Sequence, residues 1–364
     1  MVSRRVTILG AGNGGRAAAA EFALGGHAVT LYEIPALASS LDGIAASGSI
    51  TATGVLSGTA PVRVELDLEQ AIVEAEILLA VVPTMYQRAF AEMLAPHVRD
   101  GMNLVLMPGS MGSLDVSEYW RTHGVSADVT VSEIAALPYA TRITGPDSVH
   151  IFGRRRIVSI GVFPAEKAYR VMPAMSELYP GIEQMANVLE AGLNNPNPTL
   201  HCLGVLLSAS RIEYSHGEFY YYEEGMTPAV CQAIEAIDAE RVAIGRALGI
   251  DVLSLLDTYP KMGYGPKGDT FWQVIRGVGA LNGIKGPSQI DSRYLTEDVP
   301  IGLTIYSELG HQLGVPTPIM DSVITLTQAL LNRDFAEERR TVGRCGVAWM
   351  TSEALLEYVT TGHR

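Results

Sequence analysis

Cysteine is scarce: Cys202, Cys231 and Cys345 are the only three in 364 residues. They lie far apart, form no CxxC pair and match no zinc-ligand spacing. A disulfide framework and a cysteine-based metal site are therefore excluded, no metal is expected, and reduced thiols in a cytoplasmic protein are. Long apolar runs are missing as well. None approaches the roughly 20 residues that a bilayer-spanning helix needs, so no membrane partner is expected. Positive charge is the minority sign, with 26 Lys and Arg against 39 Asp and Glu and a net charge of −13. That balance argues against nucleic acid and anionic lipid surfaces. The basic start, Arg4-Arg5 before an apolar stretch, superficially resembles a secretion signal, but glycines follow at once and a buried first strand is the better reading. There is no internal repeat and no low-complexity linker. The length is that of two domains, each large enough for a core.

What is present is concentrated near the start. The apolar residues 6–9 run into Gly10-Ala11-Gly12-Asn13-Gly14-Gly15, an alanine-rich helical pattern follows, and a second apolar run ends on Glu33. This is a complete strand, turn, helix, strand, acid unit. Gly10 permits the tight turn off the first strand. Gly12 lets a pyrophosphate approach the backbone, and Gly15 lets the helix pack closely, with Ala17 to Ala20 keeping that contact thin. The helix start offers N–H groups and partial positive charge to phosphates. A carboxylate at Glu33 can accept from both ribose hydroxyls and repels a 2′-phosphate, and no Lys or Arg follows until Arg63. NAD is thus expected as cofactor, NADH being preferred, with NADP as the alternative.

The βα rhythm continues downstream. Residues 77–82 form a continuous apolar run, as in a strand covered on both faces. It stops at Pro83-Thr84, which places Pro83 and Thr84 beside the nicotinamide half of the cofactor, beyond a strand carboxyl end. Residues 103–107 form the next strand, and the turn Pro108-Gly109-Ser110-Met111-Gly112 is expected to open toward the cofactor too. Residues 129–134 and 156–162 read as further strands. From about Gly181 the periodicity is helical: Leu200, Leu203, Leu206 and Leu207, then Ile234, Ile237 and Val242, then Ile319, Val323, Ile324 and Leu331. Pro198, Pro228, Pro300 and Pro318 sit at first-turn positions. The fold class is α/β, an N-terminal Rossmann dinucleotide-binding domain, residues 1–185, followed by an all-α domain, residues 186–364.

Two stretches of the helical half carry candidate chemistry. In Asn194-Asn195-Pro196-Asn197-Pro198-Thr199-Leu200-His201 a rigid polar loop opens a helix with a histidine near its start. Histidine exchanges protons near neutral pH, though such a residue can also merely cap or fill. The second stretch runs from Gly286 to Pro300 and contains Arg293 and Asp298. Asp298 reads as an N-cap or as a catalytic carboxylate. Arg293 reads as a surface arginine or as a planar fork for a substrate carboxylate.

The chain resembles the octopine/nopaline dehydrogenase family of opine dehydrogenases over essentially its whole length. The resemblance rests on GAGNGG, on Tyr139-Ala140-Thr141-Arg142, on residues 194–201 and on the segment from Tyr221 to Pro228. It rests most specifically on GPSQIDSRYLTEDVPIGL. It implies an oxidoreductase that condenses a 2-oxo acid, often pyruvate, with the amino group of an amino acid and reduces the imine with NAD(P)H. It places the catalytic histidine on His201, its partner on Asp298 and the substrate-carboxylate arginine on Arg293, with Arg142 and Tyr139 as further substrate-binding candidates. The carboxylates and aromatics of residues 213–224 leave the amino acid open between basic and apolar kinds, with neutral ones favoured. A homodimer is expected through apolar helix faces. Two other readings stand beside this one. A ketopantoate or 2-hydroxy-acid reductase shares the architecture, but the proton-donating lysine many of these use finds no suitable setting at Lys261, Lys267 or Lys285. A non-catalytic NAD-binding sensor has no reason to carry His201, Arg293 and Asp298 together.

Overall fold

The structure, a computed structural model, describes residues 2–364. It divides into two compact units. The first runs to Ala191 and takes in Val359–Gly362; the second comprises Gly192–Tyr358 and the last two residues. The boundary falls later than the expected 185 for a packing reason. Asn187 and Ala191 lie on Gly161, where an added Cβ would come within 2.6 Å of the Asn187 carbonyl oxygen and 2.8 Å of the Ala191 methyl.

The first unit contains β1 (Arg5–Leu9), β2 (Ala28–Tyr32), β3 (Ser49–Gly54), β4 (Gly58–Pro61), β5 (Arg63–Glu65) and β6 (Ile77–Ala80). They are followed by β7 (Asn103–Leu106), β8 (Thr130–Ile134), β9 (Tyr139–Gly145), β10 (Ser148–Arg154), β11 (Val158–Phe163) and β12 (Ile182–Gln184). Eight strands form one sheet in the order β12-β11-β8-β7-β6-β1-β2-β5. It is parallel except where β11 meets β8. β1 is central, with Leu9 opposite both Tyr32 and Ala80, so three strands end side by side at the glycine turn. All of β6 is buried, as its unbroken apolar sequence requires.

A second sheet, in the order β4-β3-β10-β9, was not legible in the sequence. Its consequence is visible in α1 (Asn13–Leu24). Ala17, Ala18, Ala19 and Ala20 are all 0% exposed. They pack in one cluster with Val6 and Ile8 of the large sheet and with Ile50, Ala52, Val149 and Ile151 of the small one. A helix covered on two sides needs small residues around its circumference, which is why the alanines are consecutive and not spaced at helical intervals.

Several buried polar groups tie this unit together, as burial favours. Arg16, 3% exposed, reaches the carbonyls of Ala11, Gly145, Pro146 and Ser40 and so ties the β9–β10 turn to the start of α1. The Tyr139 hydroxyl lies 2.7 Å from both Glu21 and Tyr179, and Glu21 also accepts from Arg154 at 2.7 Å. This arrangement corrects the expectation that Tyr139 binds substrate. The side chain is 5% exposed and its polar atom is spent on Glu21 and Tyr179, which lock α1 to β9 and the segment after residue 178.

The second unit is helical among the described residues, apart from one isolated bridge between Tyr220 and Lys285. Its central members are α3 (Asn197–Leu207), so numbered after α2 (Gly112–Thr122) of the first unit, and α4 (Pro228–Leu248). Inside α4, Arg241 and Asp238 form a buried pair whose remaining atoms hold the Leu193 and Leu253 carbonyls and the Leu255 amide. Leu200, Leu203, Ile234, Ile237 and Val323 are buried as their spacing predicts, whereas Leu207 and Ile319 are exposed. Pro198, Pro228 and Pro318 fall at helix starts. Pro300 does not: it lies within a π-helical segment, Asp298–Leu303, that leads into the helix Thr304–Gln312.

The close approach of α1 to β1 gives the first test. At Gly15 a Cβ would sit 1.9 Å from the Gly10 carbonyl oxygen, whereas at Gly12 it would meet nothing within 4 Å. Gly15→Ala is expected to cost about 1–3 kcal/mol in urea or thermal unfolding, as overpacking does. Gly12→Ala should leave stability unchanged, and equal stability of the two variants would contradict the packing argument.

Candidate active site

The dinucleotide set assembles at the carboxyl ends of β1, β2 and β6. Gly10 has φ +103° and its absent Cβ would lie 2.6 Å from the Val81 carbonyl oxygen, so the turn is pressed against the chain that leads to Pro83 and Thr84. Gly12 stands at the N-terminus of α1 with no side chain capping the first turn. The amides of that turn and the open space over Gly12 make a cradle for a diphosphate. Gly14 packs on Leu137, and Asn13 accepts from the Ile143 amide at 2.8 Å. Glu33, 7% exposed, accepts from the Ala11 amide at 2.8 Å and the Ile34 amide at 2.9 Å. Its carboxylate is thereby held beside the glycine turn by backbone groups. Thr84 is buried at the start of a short 3₁₀ turn, Thr84–Tyr86, that Pro83 caps.

The second glycine-containing turn behaves differently from expectation. At the start of α2 the amides of Met111 and Ser113 donate to Glu133 of β8 at 2.9 and 3.1 Å, and the Ser113 hydroxyl does so at 2.6 Å. Glu133 is wholly buried. A protein carboxylate therefore occupies the anion position there, and only the turn at α1 is open to a phosphate. An acid within the apolar strand TVSEI was the sequence signal for this cap.

In the second unit His201 and Asp298 meet. The His201 Nδ1 lies 2.8 Å from Asp298 Oδ2, with the side chains 13% and 18% exposed. The first turns of α3 carry His201, and the Asn195 side chain accepts the Asn197 amide at the α3 start. The π-helical segment Asp298–Leu303 carries Asp298. Gly302 allows the two to approach, since a Cβ there would sit 2.2 Å from Pro198 Cγ. π-Helical turns are rare and concentrate at functional sites. Burial pushes the Asp298 carboxyl above its ordinary range, and the hydrogen bond from His201 opposes that rise. The His201 Nε2 has no hydrogen-bond partner among the described residues. With Nδ1–H directed to a carboxylate, Nε2 is the atom that can take up and deliver a proton.

Two aromatic residues at this site escaped sequence reasoning. The Tyr294 ring lies 4.4 Å from the His201 ring, and Tyr221 stacks 5.6 Å behind it. Both belong to motifs that marked the resemblance, but nothing in their spacing points to the histidine. Arg293 directs Nε and Nη2 to Glu297 Oε2 at 2.7 and 2.6 Å while its side chain stays 68% exposed. Arg142 is exposed on β9, its side chain bonded among the described residues only to the carbonyl of Thr141, next to the residue whose amide holds Asn13. No group of His, Cys, Asp and Glu fit to hold a metal occurs among the described residues.

A parallel sheet with an open glycine turn, followed by a helical unit with a carboxylate-backed histidine, defines a dinucleotide-dependent oxidoreductase. Comparison with known proteins narrows the class. Residues 5–109 match the family described as NAD-dependent glycerol-3-phosphate dehydrogenase N-terminus. Residues 184–331 match the NAD/NADP octopine/nopaline dehydrogenase, alpha-helical domain. An opine dehydrogenase of Arthrobacter sp. (strain 1C) is 35% identical over 356 residues, 97% of this chain and 98% of that one. An octopine dehydrogenase solved with NADH and L-arginine is similar in fold, with a TM-score of 0.77 at 18% identity over 100% of this chain and 99% of that one. A PanE/ApbA family ketopantoate reductase from Ralstonia eutropha JMP134 shares the fold less closely, with a TM-score of 0.59 at 17% identity over 90% and 98%. The chain belongs to the opine dehydrogenase family, and its first unit is an NAD-binding domain.

The raised carboxyl of Asp298 has a measurable consequence for stability. A carboxyl whose folded pKa exceeds its unfolded one favours folding fully only below the unfolded value, and loses that contribution as pH rises through the folded value. Asp298→Asn is therefore expected to melt higher than the parent at pH 7, with the gap closing toward pH 4. A gap that widens on acidification would reverse the sign and refute the assignment.

Proposed function

We propose that this protein catalyses the NADH-dependent reductive condensation of a 2-oxo acid, pyruvate foremost, with the amino group of an amino acid, and the reverse oxidation. The product is a secondary-amine dicarboxylate. The observation that carries this reading is the 2.8 Å contact between His201 and Asp298. The bound nicotinamide supplies or accepts the hydride. Condensation needs a proton delivered to the departing hydroxyl of the carbinolamine, and oxidation of the product needs a base. His201 Nε2 serves both, and Asp298 holds the tautomer and stabilises the imidazolium. Arg293 is assigned to a substrate carboxylate, since its exposed guanidinium keeps donors beyond the two on Glu297. Arg142 is assigned to a second carboxylate or to the cofactor loop, and the Ile143–Asn13 bond favours the loop.

The amine is proposed to be a neutral amino acid. Of the acids in residues 213–224, Glu218 is paired with Lys285, Glu224 with Arg211, and Glu223 with the Gly283 amide. Those carboxylates are engaged in bracing loops, which leaves little to attract a cationic side chain. A cytoplasmic homodimer belongs to the same proposal. The three cysteines are buried and form no disulfide among the described residues, and Ile319, Leu326 and Leu330 are 36%, 53% and 49% exposed along one helix.

The direct test is NADH oxidation by pyruvate with each of the twenty amino acids and taurine, against either substrate alone. Turnover only with both, and foremost with neutral amino acids, is the expected result. Turnover with the oxo acid alone would move the protein to the simple reductases, and none with any pair would favour a sensor. His201→Ala should lower turnover at least ~100-fold while NADH affinity holds, in keeping with general acid–base catalysis. Glu33→Ala should weaken NADH binding and relax discrimination against NADPH; an unchanged preference would place Glu33 away from the ribose.

A further inference from the structure

The imidazole of His201 is one member of a closed circuit of contacts. Its ring lies 4.4 Å from the Tyr294 ring at 43°, and Tyr294 stacks on Tyr221 at 5.6 Å and 19°. The Tyr221 hydroxyl returns to the His201 carbonyl at 3.3 Å. Cys202, the next residue of α3, donates its thiol to the Tyr294 carbonyl at 3.7 Å. The circuit depends on Gly204, where a Cβ would stand 2.3 Å from the Tyr221 hydroxyl. Tyr221 belongs to a second π-helical segment, Tyr221–Gly225, and is fully buried.

We propose that Tyr294 is a positioning residue for His201, and this rests on the reading that His201 carries the proton. A single hydrogen bond at Nδ1 fixes one atom of the imidazole but leaves the ring free to swing about it. The Tyr294 ring removes that freedom on one face, and Tyr221 keeps Tyr294 from yielding. An electron-rich ring 4.4 Å away also favours the imidazolium, the state His201 must reach before it can donate. The other groups around the imidazole are the Asp298 carboxylate on the π-helical segment, the Arg293–Glu297 pair beside Tyr294, the Cys202 thiol on α3 and the Tyr221 hydroxyl. Asp298 meets the ring at Nδ1, and the Tyr294 ring lies beside it at 4.4 Å, tilted by 43°.

The experiment compares Tyr294→Phe with Tyr294→Leu in the full chain, in parent and His201→Ala backgrounds. The His201→Ala single variant is read first, because a loss smaller than ~100-fold there overturns the underlying reading and this proposal with it. Given that loss, Tyr294→Phe should keep turnover within about two-fold of the parent, since the ring remains. Tyr294→Leu should lower kcat roughly ten-fold with KM and NADH affinity unchanged, and move the alkaline limb of the kcat profile to lower pH by up to about one unit. It should add nothing in the His201→Ala background, where there is no ring to position. A Phe variant as impaired as the Leu variant would show that the hydroxyl and not the ring matters, and would overturn the proposal. So would an equal loss in both backgrounds. If Tyr294→Leu does not fold, Tyr221→Phe is read instead: it keeps both rings and removes the tie to the His201 carbonyl. A smaller shift of the same limb supports the proposal, and an unmoved limb overturns it.

Discussion

The constraint on which the first unit depends is the width of α1. This helix is covered on two sides, so its middle turn admits nothing larger than a methyl group. Its first turn admits less, because Gly15 presses on the Gly10 carbonyl. That closeness keeps the α1 amides at the carboxyl end of β1, and an anion-binding position there follows from the backbone alone. Arg16 and Asn13 then tie the small sheet to the same turn through the Gly145 and Pro146 carbonyls and the Ile143 amide. The phosphate-binding geometry is thus a packing property of two sheets and one thin helix.

The second unit builds its site from irregular pieces. His201 lies on an ordinary helix, but Asp298 and Tyr221 both lie on π-helical segments. A wider turn displaces side chains from the rows of an α-helix, and here it brings a carboxylate to the edge of the imidazole and a phenol to the back of its aromatic neighbour. Burial of Asp298 works against its charge, and the histidine bond offsets part of that cost. On the proposed role of His201, a buried carboxylate that weakens the fold while backing a proton carrier fits a site where stability and chemistry compete.

Two turns that look alike in the sequence have opposite uses. Both are glycine-containing, follow a parallel strand and open a helix. At α1 no side chain among the described residues caps the first turn, and its amides remain available. At α2 the carboxylate of Glu133 takes them, and the turn closes. Tyr139 is a related case: an aromatic motif shared with a family does not say which way its hydroxyl points, and here Glu21 and Tyr179 claim it.

The sequence by itself determined the parallel sheet, the dinucleotide fingerprint, the helical second half and the family, because each is written in local patterns. Glycine spacing, apolar runs and proline at helix starts act within a few residues of one another, so they can be read in order along the chain. Only the tertiary structure decided the small sheet, whose Thr- and Gly-rich strands β3 and β4 carry weak alternation and are recognised by what they pack against. The pairing of Tyr294 with His201 was decided there as well. The partnership of His201 with Asp298, across 97 residues of chain, was implied by the family resemblance, and the fold decided its geometry. Contacts made at such separation depend on how helices turn and where they stop, and residue type alone does not encode that.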